Sequence, residues 1–115
     1  MNIEERVQKL DEMTAAGQIL EALEEFYHPE LTTREGNGDE VTSKEAHREK
    51  LETFFSGIEK VNGIEFHSSA VGDGVSMSEF TFDMVKKDGD RILWNEILRR
   101  RWKDGLVIDE RYYTA

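Results

Sequence analysis

The sequence predicts an α+β fold in which helices come first and an antiparallel sheet follows. Up to about residue 60, apolar residues recur every three or four positions, which is the period of a helix buried on one face. From residue 61 onward they alternate with polar residues, which is the period of a strand. Turn sequences separate the alternating segments, so consecutive strands are expected to pair and the helices to cover one side of the sheet.

The N-terminal region predicts two helical segments. Asn2 and Glu5 form a capping-box pattern that opens a helix running to about Ala16. Gly17 suits the left-handed backbone conformation that follows many helix ends. A second apolar stripe then continues until Pro29, which disfavours a helical conformation in the residue before it.

A short strand and a third helix are expected next. The threonine-rich segment 31–35 favours a strand, and the glycine-rich residues after it favour a turn. Thr42 and Glu45 form a second capping-box pattern, and the apolar stripe beyond them predicts a helix that ends near Gly57. One polar side chain, His47, interrupts that stripe.

Four antiparallel strands are predicted after residue 61. The first two cover 64–71 and 75–86, and the others form a long hairpin around the glycine-containing turns 87–89 and 103–105. If both turns are of the three-residue bulged type, Lys86 pairs with Asp90 and Trp102 with Leu106. A two-residue turn at 88–89 is the alternative, and it would bring Glu79 and Asp83 beside Glu96.

The bulged register divides the hairpin into two faces. The predicted inner face carries Phe80, Phe82, Met84, Ile92, Trp94, Glu96, Leu98, Arg100, Trp102, Leu106, Ile108, Glu110 and Tyr112. Its aromatic content requires a cover of helices. The outer face places Arg99 opposite Asp109 among scattered apolar residues, which suits dimerisation sheet against sheet.

Composition limits the possible functions. A chain of 115 residues suffices for one domain with one core, so we expect a single domain over residues 1–115. No apolar run approaches the roughly 20 residues of a membrane span, and the acidic start does not resemble a signal peptide, which predicts a cytoplasmic protein. A net charge of −10 argues against nucleic-acid binding.

The sequence lacks the residues and motifs that several classes of chemistry require. The chain has no cysteine, which excludes disulfides and thiolate chemistry. Its three histidines have no regular spacing, so no metal site is predicted. Phosphate-binding loops, nucleophile elbows and dinucleotide fingerprints are absent from the sequence, and no cofactor is expected.

Three side chains are candidates for chemistry. Glu96 lies between Trp94 and Leu98 on the inner face, where a carboxyl group is either an acid or base in a pocket or a group satisfied by a buried partner such as Arg100. His47 is either a base or a hydrogen-bonded core residue. As a base it would be kept neutral by the positive end of the helix dipole, because it lies near the N-terminus of its helix. Tyr27 either offers its hydroxyl to a ligand oxygen or packs with that hydroxyl in water.

Three segments resemble those of the SnoaL-like members of the NTF2-like superfamily. They are 26–31 (Phe-Tyr-His-Pro-Glu-Leu), the helix start at 43–46, and 101–113, where Arg-Trp-Lys-Asp-Gly is followed by Ile-Asp-Glu-Arg-Tyr-Tyr. The resemblance spans essentially the whole chain and is more specific for fold than for function. It implies a cone, in which N-terminal helices pack in the concave face of a curved antiparallel sheet around a pocket, usually in a homodimer.

Members of this superfamily include polyketide cyclases, ketosteroid isomerases, epoxide hydrolases, dehydratases and non-catalytic binding modules. Cofactors are rare among the enzymes, and one or two carboxyl groups in the apolar cone commonly act as acid or base, a role for which Glu96 stands at the comparable position. The resemblance therefore implies a small, mostly apolar ligand and a cyclase-, isomerase- or dehydratase-like reaction. The alternative is a ligand-binding or dimerisation module in which Glu96 is structural. The expected pocket residues are Phe54, Phe80, Phe82, Trp94, Leu98 and Tyr112.

Overall fold

The computed structural model describes residues 2–114, and its helices precede the strand meander as predicted. The helices are α1 (Ile3–Ala15), α2 (Ile19–Phe26) and α3 (Lys44–Ser56). The strands are β1 (Tyr27–Glu35), β2 (Val41–Thr42), β3 (Ile58–Gly72), β4 (Val75–Lys86), β5 (Arg91–Lys103) and β6 (Leu106–Thr114). No helix within residues 2–114 is both long enough and apolar enough to cross a membrane.

The six strands form one curved, unclosed sheet in the order β2-β1-β6-β5-β4-β3. Strands β3 to β6 are an antiparallel meander, which confirms the predicted pairing of consecutive strands. The sheet as a whole is mixed, because β1 pairs with β6 in parallel, a pairing that the sequence did not predict. The three helices pack against this sheet, and the predicted α+β class is confirmed.

The helix starts follow from their capping residues. Asn2 accepts the backbone N–H of Glu5 at 2.8 Å, and the Glu5 carboxyl accepts the N–H of Asn2 in return, so the predicted capping box is present. Helix α3 begins one residue later than its capping pattern suggested. Its N-cap is Ser43, whose hydroxyl accepts the N–H of Ala46 at 3.1 Å.

The register between β4 and β5 is the one that a bulged turn predicts. The backbone N–H of Lys86 donates to the carbonyl of Asp90 at 2.8 Å, and Glu96 lies directly opposite Phe80. The alternative register, with acidic side chains of β4 beside Glu96, does not occur. Glu96 therefore lies on the same face of the sheet as the aromatic residues of β4.

The turn between β5 and β6 differs from its prediction. Lys103 pairs with Leu106, so the loop has two residues, Asp104 and Gly105, whose φ angles of 53° and 79° are both positive. Positive φ at both positions is characteristic of the type I′ hairpin turn, which joins twisted strands without splaying them.

The shorter turn changes which residues of β6 face inward. Trp102 pairs with Val107, which is fully buried, and the predicted inward positions of Leu106 and Ile108 were wrong, since both side chains are only half-buried. A bulge after Val107 then restores the predicted alternation, so that Arg100 lies opposite Glu110.

The shorter turn and the bulge also change the register of Arg99 and Asp109, which were predicted to lie opposite each other on the outer face. Arg99 lies opposite Arg111, and Asp109 lies opposite Arg101. Arg99 still reaches Asp109 diagonally, with 4.0 Å between Nη1 and Oδ2. The expected ion pair is therefore present, but along a diagonal.

Two apolar clusters hold the helices on the inner face of the sheet. The first joins α1 and α2 to Trp102 and Val107, and the second joins α3 to residues of β4 and β5. Phe26, Phe80, Leu10 and Leu23 are at most 2% exposed, and each such side chain contributes about 1.5–3 kcal/mol when buried. Between the helices and the central strands the packing leaves an open space.

Candidate functional site

The open space is a cavity of about 280 Å³. Its walls come from all three helices and from the inner face of β4, β5 and β6, and apolar side chains dominate them. Ligand pockets generally occupy about 300–1,000 Å³, so this cavity lies near the lower limit and has room only for a small molecule. The aromatic residues therefore line the cone without filling it.

Eight of the nine residues selected from the sequence border this cavity. They are Tyr27, His47, Phe54, Phe82, Trp94, Glu96, Leu98 and Tyr112. Phe80 is not among the lining residues. Its side chain is fully buried, and its ring lies 5.6 Å from that of Phe66 and 5.7 Å from that of Phe82.

A carboxylate that the sequence did not single out, Glu110, organises the polar side of the cavity. Its two oxygens accept the hydroxyl protons of Tyr27 and Tyr112, one each. The Nε–H of Arg100 donates to the same carboxylate at 3.0 Å. With 2% exposure and three donors, the Glu110 carboxylate is held in one orientation.

Arg100 extends this network to helix α1. Its Nη1 donates to Asp11 at 2.7 Å and to the hydroxyl of Ser78 at 3.2 Å, and Ser78 donates to Asp11 at 2.8 Å. Burial opposes the charge of Arg100, but the neighbouring carboxylates of Glu110 and Asp11 raise its pKa. Arg100 is thus committed to Asp11 and Glu110, and the alternative in which it satisfies Glu96 does not occur.

His47 is buried and uses both ring nitrogens in the same network. Nε2 lies 3.1 Å from the hydroxyl of Tyr112, and Nδ1 lies 3.3 Å from that of Thr33. Because the only hydroxyl proton of Tyr112 goes to Glu110, Nε2 must carry the proton and Nδ1 must accept from Thr33. Burial lowers the pKa of His47, which keeps the ring neutral.

Tyr27 is constrained in the same way. Burial and the adjacent Glu110 raise its pKa well above the ordinary value, so the phenol stays protonated. Its one proton is donated to Glu110. In this arrangement neither Tyr27 nor His47 has a spare proton for a ligand oxygen, and both side chains hold the wall in place.

Glu96 behaves differently from these residues. Its carboxyl group forms no hydrogen bond or ion pair with any other residue of the range 2–114, although the residue is half-buried and borders the cavity. Burial, together with the negative charges of Glu35 and Glu110, raises the pKa of Glu96 to about 7. The carboxyl can therefore both donate and accept a proton near neutral pH.

Two further charged residues line the cavity. Lys50 of α3 and Glu35 at the end of β1 form an ion pair with 3.4 Å between Nζ and Oε1. The side chain of Glu35 is nevertheless largely exposed. The described residues contain no cluster of three or more potential metal ligands.

One of the residues missed in the sequence leaves a recognisable signal. Asp11 follows Val7 by four positions and therefore shares its helix face, as a single carboxylate on an apolar stripe. Its partner Arg100 lies on an inward position of β5. Two opposite charges on inward faces predict a buried pair, although the sequence alone does not show that they meet.

Comparison with solved structures identifies the architecture. A SnoaL-like polyketide cyclase structure from Mesorhizobium loti superposes with a TM-score of 0.89 at 24% identity, covering 98% of this chain and 99% of that one. The chain has the SnoaL-like, NTF2-like fold. This confirms the resemblance that the sequence indicated.

Other proteins with the SnoaL-like fold agree. A SnoaL-like polyketide cyclase structure from Jannaschia sp. CCS1 gives a TM-score of 0.82 at 16% identity, covering 97% of this chain and 84% of that one. The structure of an NTF2-like protein of unknown function from Burkholderia pseudomallei gives a TM-score of 0.83 at 9% identity, covering 100% of this chain and 92% of that one. No protein-family model matches the sequence, and a search of curated proteins finds no significant match.

Proposed function

We propose that the cavity binds a small, largely apolar organic molecule and that Glu96 exchanges a proton with it. The observation that carries this proposal is the unpaired carboxyl of Glu96 in a cavity whose walls are dominated by apolar side chains. Every other buried carboxylate of the network has cationic or hydroxyl partners, whereas this one faces the empty space. An unpaired group of this kind is typical of a functional site.

As an enzyme, the protein would catalyse a cofactor-free cyclase-, isomerase- or dehydratase-like reaction. Ionised Glu96 would remove a proton from a carbon next to a carbonyl, and the protonated form would return it to the product. A pKa of about 7 populates both forms at neutral pH, which favours this exchange. The Glu110 network would contribute by holding Tyr112 and His47 rigid beside the ligand.

A second candidate is a non-catalytic binding module. The observation that favours it is the commitment of Tyr27, Tyr112 and His47 to internal hydrogen bonds. Acid–base enzymes that form an enolate usually stabilise its oxygen with preorganised donors. If the ligand forms no such intermediate, Glu96 serves recognition alone.

A ligand screen separates these candidates. We expect some members of a panel of cyclic and aromatic ketones to raise the melting temperature, since a ligand at one hundred times its Kd adds about 2.7 kcal/mol to the stability of the folded state. The replacement Leu51→Trp narrows the cavity from α3 and should abolish these shifts. Ligands that stabilise both proteins equally would bind elsewhere and would contradict the proposed site.

For each compound that binds, turnover is then measured by mass spectrometry in the wild type and in Glu96→Gln. We expect turnover to fall by at least the roughly 100-fold that general acid–base catalysis contributes. Turnover that persists in Glu96→Gln would remove this carboxyl from the mechanism. Binding without any turnover would favour the binding module.

The outer face of the sheet is proposed to form a homodimer. Met77, Leu93, Ile97 and Tyr113 are between 36% and 54% exposed there, and their strands are neighbours in the sheet. Large apolar side chains that adjoin one another on a surface commonly mark an interface. Arginine and carboxylate residues surround them, which suits a self-complementary contact.

Sedimentation velocity at micromolar concentration tests the dimer. We expect the wild type to sediment with twice the 13.3 kDa mass of the chain and Ile97→Lys to sediment as a monomer, because two lysines would be buried at the symmetric contact. Val61→Lys is the control, since Val61 is 43% exposed but lies on the other face of the sheet. A monomeric wild type would contradict the interface.

A further inference from the structure

The charges around the cavity do not balance. Arg100 is its deepest cation and is bonded to two carboxylates, Glu110 and Asp11, so this group carries one net negative charge. Lys50 is the other cation on the lining, and its charge is matched by Glu35. Glu96 adds a second negative charge whenever it is ionised, because no cationic side chain within residues 2–114 pairs with it.

The remaining titratable groups leave this imbalance in place. Burial keeps His47 neutral, and both nitrogens of its ring are occupied. Tyr27 and Tyr112 are kept protonated by burial and by the charge of Glu110. With a formal charge of −10, the chain as a whole also attracts cations rather than anions.

An aromatic wall adjoins the unpaired carboxyl. Trp94 is two residues before Glu96 on the same face of β5, and its ring stacks on that of Phe54 with 5.6 Å between centroids. Trp94 nevertheless remains 39% exposed. Electron-rich ring faces beside a carboxylate are the usual environment for ammonium groups in proteins.

We propose that the preferred ligand is an organic cation, with an apolar body in the cavity and a positively charged nitrogen between Glu96 and the ring of Trp94. This inference rests on the proposed function, since it specifies the ligand class of the same cavity. The nitrogen supplies the positive charge that the lining lacks, and the apolar walls receive the rest of the molecule. In the unliganded protein at lower pH, a proton neutralises the Glu96 carboxylate instead.

Protonation of Glu96 and binding of an ammonium group beside it exclude each other, so ligand affinity should depend on pH. Glu96 ionises near neutral pH in the unliganded cavity, so an ammonium group that binds beside it displaces the proton. Cation binding should therefore strengthen as the pH rises from about 6 to about 8 and should release protons in this interval. A neutral ligand that accepts a hydrogen bond from the protonated carboxyl would show the opposite dependence.

Isothermal titration calorimetry with phenethylammonium and phenethyl alcohol tests the inference, because the two probes differ only in the terminal ammonium or hydroxyl group. At about pH 8 we expect the ammonium to bind at least about tenfold more tightly than the alcohol, equivalent to about 1.4 kcal/mol. Repeating the titration with benzyltrimethylammonium in buffers of different ionisation enthalpy should reveal proton release near pH 7.

Glu96→Gln should bring the affinities of ammonium and alcohol close together and abolish the proton release. Glu79→Gln is the matched control, because it removes the same charge from the outer face of the neighbouring strand and should keep the wild-type preference. Equal affinities in the wild type, or a preference that survives Glu96→Gln, would overturn the inference. If neutral ketones bind and the ammonium does not, the inference fails and the proposed function stands; if no compound binds, both fail.

Discussion

Arg100→Met is expected to lower the free energy of unfolding by about 3–5 kcal/mol, the usual cost of breaking a buried ion pair from one side. The side chain of Arg100 is fully buried and joins β5 to Asp11 of α1 and Glu110 of β6. Methionine fills much of the same volume but leaves both carboxylates buried without a cation. The loss is therefore electrostatic and does not require a cavity.

Urea unfolding followed by tryptophan fluorescence measures this loss. Arg99→Met is the control, because it makes the same exchange at the adjacent residue, whose side chain is partly exposed on the outer face and approaches Asp109 only at 4.0 Å. We expect this control to change stability by about 1 kcal/mol or less. Equal effects at the two positions would contradict the assignment of Arg100 as the central cation of the core.

Neutralising the stranded carboxylates provides a second measurement. In the triple variant Arg100→Met, Asp11→Asn, Glu110→Gln the charges disappear together, and we expect part of the lost stability to return. If the triple variant were no more stable than Arg100→Met, the defect would be one of packing rather than of charge.

Most of the fold could be predicted from the sequence because its signals are local. The capping box of Asn2 and Glu5 joins residues three apart, and the turn that pairs Lys86 with Asp90 depends on a single glycine. Because side chains along β5 alternate between the two faces of the sheet, this register places Glu96 on the inner face. Neither step requires knowledge of a distant partner.

The features that were missed depend on distant partners or on a choice between similar turns. The parallel pairing of β1 with β6 joins residues such as Thr32 and Asp109, which no local pattern connects. The Asp104-Gly105 turn has nearly the same sequence as the turn before it but is one residue shorter. Glu110 lay on the predicted inner face, yet its role appears only when Tyr27, Tyr112 and Arg100 converge on it.

Glu96→Gln is expected to stabilise the protein at alkaline pH, in contrast to the loss at Arg100. The pKa of Glu96 rises from an ordinary value of 4.5 to about 7 in the folded protein. The folded state then binds the proton more tightly than the unfolded state, so ionisation lowers stability as the pH rises between these values. At about 1.4 kcal/mol per pKa unit the cost is about 3 kcal/mol, and partial exposure of the carboxyl reduces it to about 2 kcal/mol.

The measurement is the difference in the free energy of unfolding between Glu96→Gln and wild type, taken at intervals from about pH 4 to about pH 8. The difference should be constant below pH 4.5, increase in favour of the variant up to about pH 7, and then level off. Glu79→Gln, on the outer face, should show no such rise. A flat difference for Glu96→Gln would contradict the raised pKa.

The expected stabilisation by Glu96→Gln indicates that a carboxyl at position 96 does not serve the stability of the fold. Glutamine has nearly the same shape as glutamate and would spare the fold the cost of a half-buried charge, so stability does not explain a carboxyl at this position. Asp11 and Glu110, by contrast, offset the charge of Arg100 and contribute to the core. A carboxyl that is expected to destabilise the protein when ionised, and that faces an open cavity, supports the proposed binding role of Glu96.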